Sequence, residues 1–395
     1  MSILLTRSSS DWQQAEGLAT AEEVLSQPRV WRQLATELQQ QQAAVSEFLQ
    51  PWLSSPDALI ILTGAGSSAY IGQVVADEIN CQWPAEVRAI ATTSLLTQPA
   101  LYLRRERPTL LISFARSGNS PESLAAVELL RGQVGHSGFL NITCNAEGEL
   151  YSGSQGRADS FNLLMPAGTC DRGFAMTSSF SSMLLAALTV LGREPWAPRL
   201  QRLTQLAEAG EQLLQQSAQP LAALAEQPFS RLVLLGDGPL EALAREGALK
   251  MLELTAGRVT AFADSFLGFR HGPKAVLNPH SVVLLFFGND AHARRYQLDL
   301  LAELRRDQVA GRVLAISTQP LWTHDAPADA DDLIFATGPC ASFPEAWLAP
   351  LWLLLAQQVA LQRSMALGCT PDNPFPSGTV NRVVQGVTIY PLAGG

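Results

Sequence analysis

Apolar residues along this chain follow two rhythms. Between about residues 20 and 50 they recur at helical spacing. Val30, Leu34, Leu38, Val45, Phe48 and Leu49 share a Gln/Glu/Leu-rich stretch, which predicts one or two N-terminal helices. From residue 57 onward, short runs that are apolar throughout alternate with helical patterns. The runs are Asp57–Thr63, Glu86–Thr92, Thr109–Phe114, Gly138–Cys144 and Phe161–Pro166. Helices are expected after the first and third of these, through Asn80 and Arg131, and a long apolar helix over Met176–Leu191. A Gln/Glu/Ala-rich helical stretch over Pro198–Gln227 leads into a second series of strands: Arg231–Leu235, Ser281–Phe287, Arg312–Ser317 and Asp332–Phe335.

Strands apolar on both sides, alternating with helices, predict parallel sheets covered on both faces. Two such series predict an α/β fold of two tandem, doubly wound, three-layer αβα domains related by internal duplication. The expected boundaries are 1–50 for an N-terminal helical segment, 51–197 and 198–365 for the two domains, and 366–395 for a tail. That tail, from Gly368, is rich in Pro, Gly and Asn and reads as a long irregular loop near the site.

Two post-strand turns carry the candidate chemistry. Leu110–Ser123, LLISFARSGNSPES, is a buried strand, a small polar turn around Gly118, and a helix opening at Pro121. The N–H groups of a first helical turn point outward, and the helix dipole adds positive character. With Ser117, Asn119 and Ser120 as further donors, this predicts an anion site for a phosphorylated small molecule. Capping by Ser120, with Pro121 at the first helical position, is the plainer account. The second turn, Gly64-Ala65-Gly66-Ser67-Ser68-Ala69, matches a loose dinucleotide pattern. A nicotinamide site wants a carboxylate closing the second strand, which here ends Ile90-Ala91-Thr92-Thr93-Ser94. Two readings stand for it: Ser67 and Ser68 facing a sugar or phosphate, or a serine-capped turn.

Three further segments matter. Asp171-Arg172-Gly173-Phe174-Ala175-Met176-Thr177-Ser178-Ser179 puts hydroxyls and Arg172 at a helix start, as an anion site or as another capped helix. Glu246, Lys250 and Glu253 fall at i, i+4, i+7 on one helical face, as a solvated ion-pair stripe or as a general base beside a lysine. His271 stands in a Gly/Pro loop, His271-Gly272-Pro273-Lys274, where packing gives no reason for histidine. The other histidines (His136, His280, His292, His324) lie at no metal-ligand spacing, so no metal is expected.

Composition narrows the partners. Net charge is −9 with pI near 5.1, against nucleic acid or an anionic membrane as a general partner. Five scattered cysteines without a CxxC pair fit reduced thiols and a cytoplasmic setting. The N-terminal MSILLTRSSSDWQQ lacks the pattern of a signal peptide. The apolar run at 350–361 is too short to span a bilayer and reads as a core helix.

Over roughly residues 30–395 these segments resemble the sugar isomerase (SIS) domain family, duplicated. REGALKMLE and RHGPKA are similar to the catalytic helix and loop of the isomerase half of glucosamine-6-phosphate synthase. SFARSGNSPES, DRGFAMTSS and the tail SGTVNRVVQGVTIYP look closer to the subgroup named tagatose-6-phosphate ketose/aldose isomerase, also described as galactosamine-6-phosphate deaminase. The resemblance implies phosphate held by Ser67, Ser68, Ser117 and Ser120, with Arg116 and Thr177 nearby. It implies Glu253 as the base moving a proton between C2 and C1, supported by Glu246 and Lys250, and His271 as the ring opener. In the synthase that histidine comes from the neighbouring subunit, which implies a homodimer with shared sites. Where the synthase has a Schiff-base lysine this chain has Gln385, which forms no imine. The implied activity is deamination and isomerisation of a 2-amino-2-deoxyhexose 6-phosphate, foremost D-galactosamine 6-phosphate, without cofactor. A plain aldose–ketose isomerase and a sugar-phosphate sensor are the alternatives.

Overall fold

The computed structural model describes residues 3–321, 332–335, 337–384 and 386–392. The chain folds into two compact units. The first-sheet unit comprises Arg29–Asp171, Ser178–Leu203 and Ser377–Gly395, and the second-sheet unit Met1–Pro28, Arg172–Thr177 and Thr204–Pro376.

The chain opens with a short antiparallel pair, β1 (Ile3–Leu4) and β2 (Arg7–Ser8), which the sequence did not announce. Helix α1 (Ser9–Gln14) follows from a capping box in which Ser8 and Asp11 exchange side-chain and backbone hydrogen bonds. Helix α2 (Leu18–Leu53) is the expected N-terminal helix. Its start is capped from far along the chain: Asp372 accepts from the Ala19 and Thr20 N–H groups at 3.0 and 2.8 Å.

The first-sheet unit runs β3 (Leu59–Thr63), α3 (Ser67–Asn80), β4 (Glu86–Ala89), α4 (Thr92–Thr97), β5 (Thr109–Ala115), α5 (Pro121–Gln133), β6 (Ser137–Thr143), α6 (Glu149–Ser152), β7 (Ser160–Leu164) and α7 (Ser178–Leu191). All five strands are parallel, in the order β4-β3-β5-β6-β7. Every residue of β3 and β5 is buried, as a central parallel strand requires. Leu59, Ile61, Leu111, Leu130, Phe139 and Leu150 form the core on one face. Burying each such side chain stabilises the unit by about 1.5–3 kcal/mol. All fourteen residues of α7 are buried, which explains its apolar composition on every side.

After α8 (Trp196–Glu226) the second series follows: β8 (Arg231–Leu235), α9 (Pro239–Leu254), β9 (Thr260–Asp264), α10 (Phe266–Phe269), β10 (Ser281–Phe286), α11 (Ala291–Asp307), β11 (Arg312–Ser317), β12 (Leu333–Ile334) and α12 (Glu345–Ala366). Its sheet is also parallel, in the order β12-β11-β10-β8-β9. Numbered within each series, both sheets read 2-1-3-4-5, so the duplication is a shared topology. Strand β9 went unread in the sequence because Thr260–Asp264 is a half-exposed edge without an apolar run. The apolar run at 350–361 lies in α12 and is buried there. No helix among the described residues is long and apolar enough to cross a membrane.

Candidate active site

In a 2-1-3-4-5 sheet the winding direction reverses between the first and third strands, and ligands bind at the carboxyl ends there. In the first-sheet unit those strands are β3 and β5, and the two serine-bearing turns follow them. Gly66 takes φ 58°, ψ −130°, open to glycine but strained for a residue with a Cβ. A Cβ on Gly64 would lie 2.5 Å from that of Ser68, so the turn also needs glycine there. Ser67 and Ser68 are the first two residues of α3 and are buried. The serine-cap reading fails at this turn: the N-cap is Gly66, and α3 has no side-chain cap hydrogen bond.

The turn after β5 is held by the segment after β6. Asn145 Nδ2 donates to the Ser117 carbonyl at 2.8 Å, the Leu150 N–H to the Gly118 carbonyl at 2.9 Å, and the Glu149 N–H to Asn119 Oδ1 at 2.9 Å. Gly118 has φ 68°. Ser120 sits at the N-cap of α5 with Pro121 behind it, yet its side chain does not cap. Its hydroxyl donates to Glu122 Oε2 at 2.6 Å. Arg116, the first residue after β5, is buried and donates from Nη2 to the Arg382 carbonyl of the tail at 3.1 Å.

The third hydroxyl-rich segment proves to be a capped helix. The buried Asp171 carboxylate accepts from the Ser178 N–H at 2.8 Å and the Ser179 N–H at 3.2 Å, and also from the Ser179 hydroxyl. The chain's own anion thus occupies the start of α7. Arg172 does not flank those hydroxyls as a donor but pairs with Glu22 at 2.5 Å. Thr177 is buried and belongs to the second-sheet unit.

The second sheet repeats the turn without the hydroxyls. Gly238, at φ 54° and ψ −125°, reproduces Gly66, and a Cβ on Gly236 would meet the Leu240 carbonyl oxygen at 2.3 Å. Pro239 and Leu240 stand where the first turn has Ser67 and Ser68. Carboxylates satisfy this rim: Asp237 accepts from the Phe266 N–H and from Gln297 Nε2, both at 3.0 Å. Glu345 Oε1 accepts from the Asn289 and Asp290 N–H groups at 2.9 and 2.8 Å. The two rims thus differ in lining: serines follow the strands of the first sheet, and carboxylates occupy the second.

What the second-sheet unit offers is α9. Lys250 Nζ lies 2.6 Å from Glu253 Oε2 and 3.2 Å from Glu246 Oε1. Glu246 and Lys250 have side chains 0 % exposed, and Glu253 keeps 21 %, so this is no solvated stripe. Burial works against the Lys250 charge, but Glu246 and Glu253 outweigh it and hold its pKa above the ordinary lysine value. Burying such charges costs several kcal/mol each, and apolar replacements of a buried ion pair are often as stable. The cluster is therefore no argument for stability in itself. His271 is exposed on the loop after α10, its N–H donating to the Gly268 carbonyl at 2.9 Å.

The structure thus gathers Ser67, Ser68, Arg116, Ser117 and Ser120 at one sheet rim and Glu246, Lys250 and Glu253 on one helix. Gln385 and His324 lie outside the described residues. Among the described residues no group of three or more His, Cys, Asp or Glu forms a metal cluster. Sequence reasoning missed Asn145, Glu122 and the carboxylates at the helix starts. Asn145 had a signal, since it stands just after the end of β6 in the same sheet.

Tandem 2-1-3-4-5 sheets, one bearing hydroxyl-lined turns at its switch point, define a two-domain SIS-type protein of the phosphosugar isomerase class. No protein-family model matches the chain. It is 43 % identical over 376 residues to the D-galactosamine-6-phosphate deaminase AgaS of Shewanella sp. (strain ANA-3), covering 94 % of this chain and 92 % of that one. The crystal structure of tagatose-6-phosphate ketose/aldose isomerase from Escherichia coli superposes with a TM-score of 0.86 at 41 % identity, over 95 % of this chain and 97 % of that one. A structure from Clostridium novyi NT gives a TM-score of 0.92 at 39 % identity, over 99 % and 100 %. The chain belongs to the D-galactosamine-6-phosphate deaminase AgaS family.

Proposed function

We propose that the chain converts D-galactosamine 6-phosphate and water to tagatose 6-phosphate and ammonia. The observation that carries this reading is the Glu246–Lys250–Glu253 cluster, a partly exposed carboxylate held 2.6 Å from a buried lysine, in a chain of this family. The phosphate docks on the turns bearing Ser67, Ser68, Ser117 and Ser120, with Arg116 and Thr177 supporting. His271 moves the proton that opens the sugar ring to the C1 aldehyde. Glu253 then takes the C2 proton, giving an enolamine, and returns a proton at C1. The C2 imine that results adds water and releases ammonia, leaving the ketose. The substrate's own nitrogen supplies the imine, so no lysine is needed at the position of Gln385. A placed base contributes about 10²–10⁴ in rate, and positioning of the substrate adds to it.

His271 is exposed on the single chain, and we assign it to the site of a neighbouring subunit in a homodimer. Five free cysteines fit a cytoplasmic enzyme. Glu253→Gln tests the chemistry: ammonia release is lost while sugar-phosphate binding is kept. Wild-type turnover by that variant removes Glu253 as the base. The same base would serve a plain aldose–ketose isomerase, the activity named for the Escherichia coli structure. Free ammonium produced from galactosamine 6-phosphate separates the two.

A further inference from the structure

His271 is flanked by two cations, Arg270 and Lys274, and both are tied to one face of α11. Arg270 Nη1 meets Asp299 Oδ2 at 2.8 Å, and Arg270 Nη2 meets Glu303 Oε2 at 2.9 Å. Lys274 Nζ meets Glu303 Oε1 and Asp307 Oδ2. Asp299, Glu303 and Asp307 fall at i, i+4 and i+8, one acidic stripe along the helix. Glu303 is the centre, since one oxygen holds the cation before the histidine and the other the cation three residues after it. Its side chain is 21 % exposed, and those of Arg270 and Lys274 are 24 % and 23 % exposed, so the two bridges to Glu303 are partly shielded from water, whereas Asp299 is 67 % exposed.

The rest of the loop has few other restraints. Gly272 sits at φ 121°, and a Cβ there would meet nothing within 4 Å. The loop's backbone bonds are short-range: Ala275 N–H to the Gly272 carbonyl at 3.0 Å and Leu277 N–H to the Lys274 carbonyl at 3.1 Å. Beyond them, Arg231 Nη1 donates to the Val276 carbonyl at 2.5 Å. Isolated surface ion pairs add little stability, but a network of partly shielded ones fixes geometry. Two cations clamped by one carboxylate restrict the short arc whose middle carries the imidazole.

We propose that Glu303 is a positioning residue for His271, acting through Arg270 and Lys274. The inference rests on the reading of His271 as ring opener. Losing the clamp leaves the imidazole present but free to wander. A displacement on the order of 1 Å costs up to about 10²-fold in rate.

The test is a double-mutant cycle in the full-length protein, read as kcat and KM for ammonia release from galactosamine 6-phosphate. Glu303→Gln lowers kcat by about 10–100-fold while KM changes less than about twofold. Glu303→Asp, which keeps the charge, recovers most of that loss. In the His271→Ala background Glu303→Gln causes no further loss, because nothing is left to position. Equal losses in both backgrounds, or an unchanged kcat in Glu303→Gln, overturn the proposal. Wild-type kcat in His271→Ala alone overturns the ring-opener reading instead, and the single variant separates the two failures.

Discussion

Lys250 is buried between two carboxylates, and removing its charge has a calculable cost. Lys250→Met keeps most of the stem and leaves Glu246, with a fully buried side chain, without its cation. Breaking a buried pair from one side costs about 3–5 kcal/mol. Protonating Glu246 is the alternative. At pH 7, against an ordinary carboxyl pKa of about 4.3, that costs about 1.36 × 2.7 ≈ 3.7 kcal/mol. The two routes agree, and the second is pH-dependent. In the variant, burial raises the folded-state pKa of Glu246 above its unfolded value. The penalty is therefore absent below about pH 4.3 and grows as pH rises toward the folded-state pKa. At pH 5 it is about 1.36 × 0.7 ≈ 1 kcal/mol. At about 2–4 °C per kcal/mol for a domain of 150–250 residues, the melting temperature falls by roughly 6–20 °C at pH 8. At pH 5 it falls by only a few degrees. Adding Glu246→Gln restores most of the loss at pH 8. A fall below about 2 °C at pH 8, or equal falls at pH 5 and pH 8, would refute the assignment of Lys250 as the counter-ion of a buried carboxylate.

Two further outcomes are expected. Asp171→Ala orphans the Ser178 and Ser179 N–H groups at the start of α7, at about 1–3 kcal/mol for each buried donor, and a thermal melt reads the loss. Asp171→Asn keeps an acceptor and loses less. Ser67→Ala and Ser117→Ala each weaken sugar 6-phosphate binding by about 10–100-fold, the worth of a hydrogen bond to a charged group, as measured by titration calorimetry. The unphosphorylated sugar serves as the control, and an equal loss for it would remove these serines from phosphate recognition.

The sheets were legible because a central parallel strand is buried on both faces, and residues such as Leu59–Thr63 and Ser281–Phe286 say so in an unbroken apolar run. The two post-strand turns were legible because glycine marks backbone that other residues strain to adopt. Edges were not: Thr260–Asp264 pairs on one side only and carries a polar residue at each end. Helix caps borrowed from distant sequence were not legible either. Asp372 reaches Ala19 across 353 positions. A local cap search looks three residues away. On α9 the spacing of Glu246, Lys250 and Glu253 fixed their common face, but only the structure shows that the face is buried rather than solvated.

The twin turn at Gly236–Gly238 kept its backbone and lost its hydroxyls, with Asp237 and Glu345 occupying the rim instead. The two repeats thus share one topology and differ in the side chains along the rim. On the reading proposed above, a protein engineer seeking a different phosphate ester would start with the amino-terminal repeat. On that reading the carboxy-terminal repeat carries the proton-moving helix, and changes on it alter the reaction outcome more than the affinity for the ester.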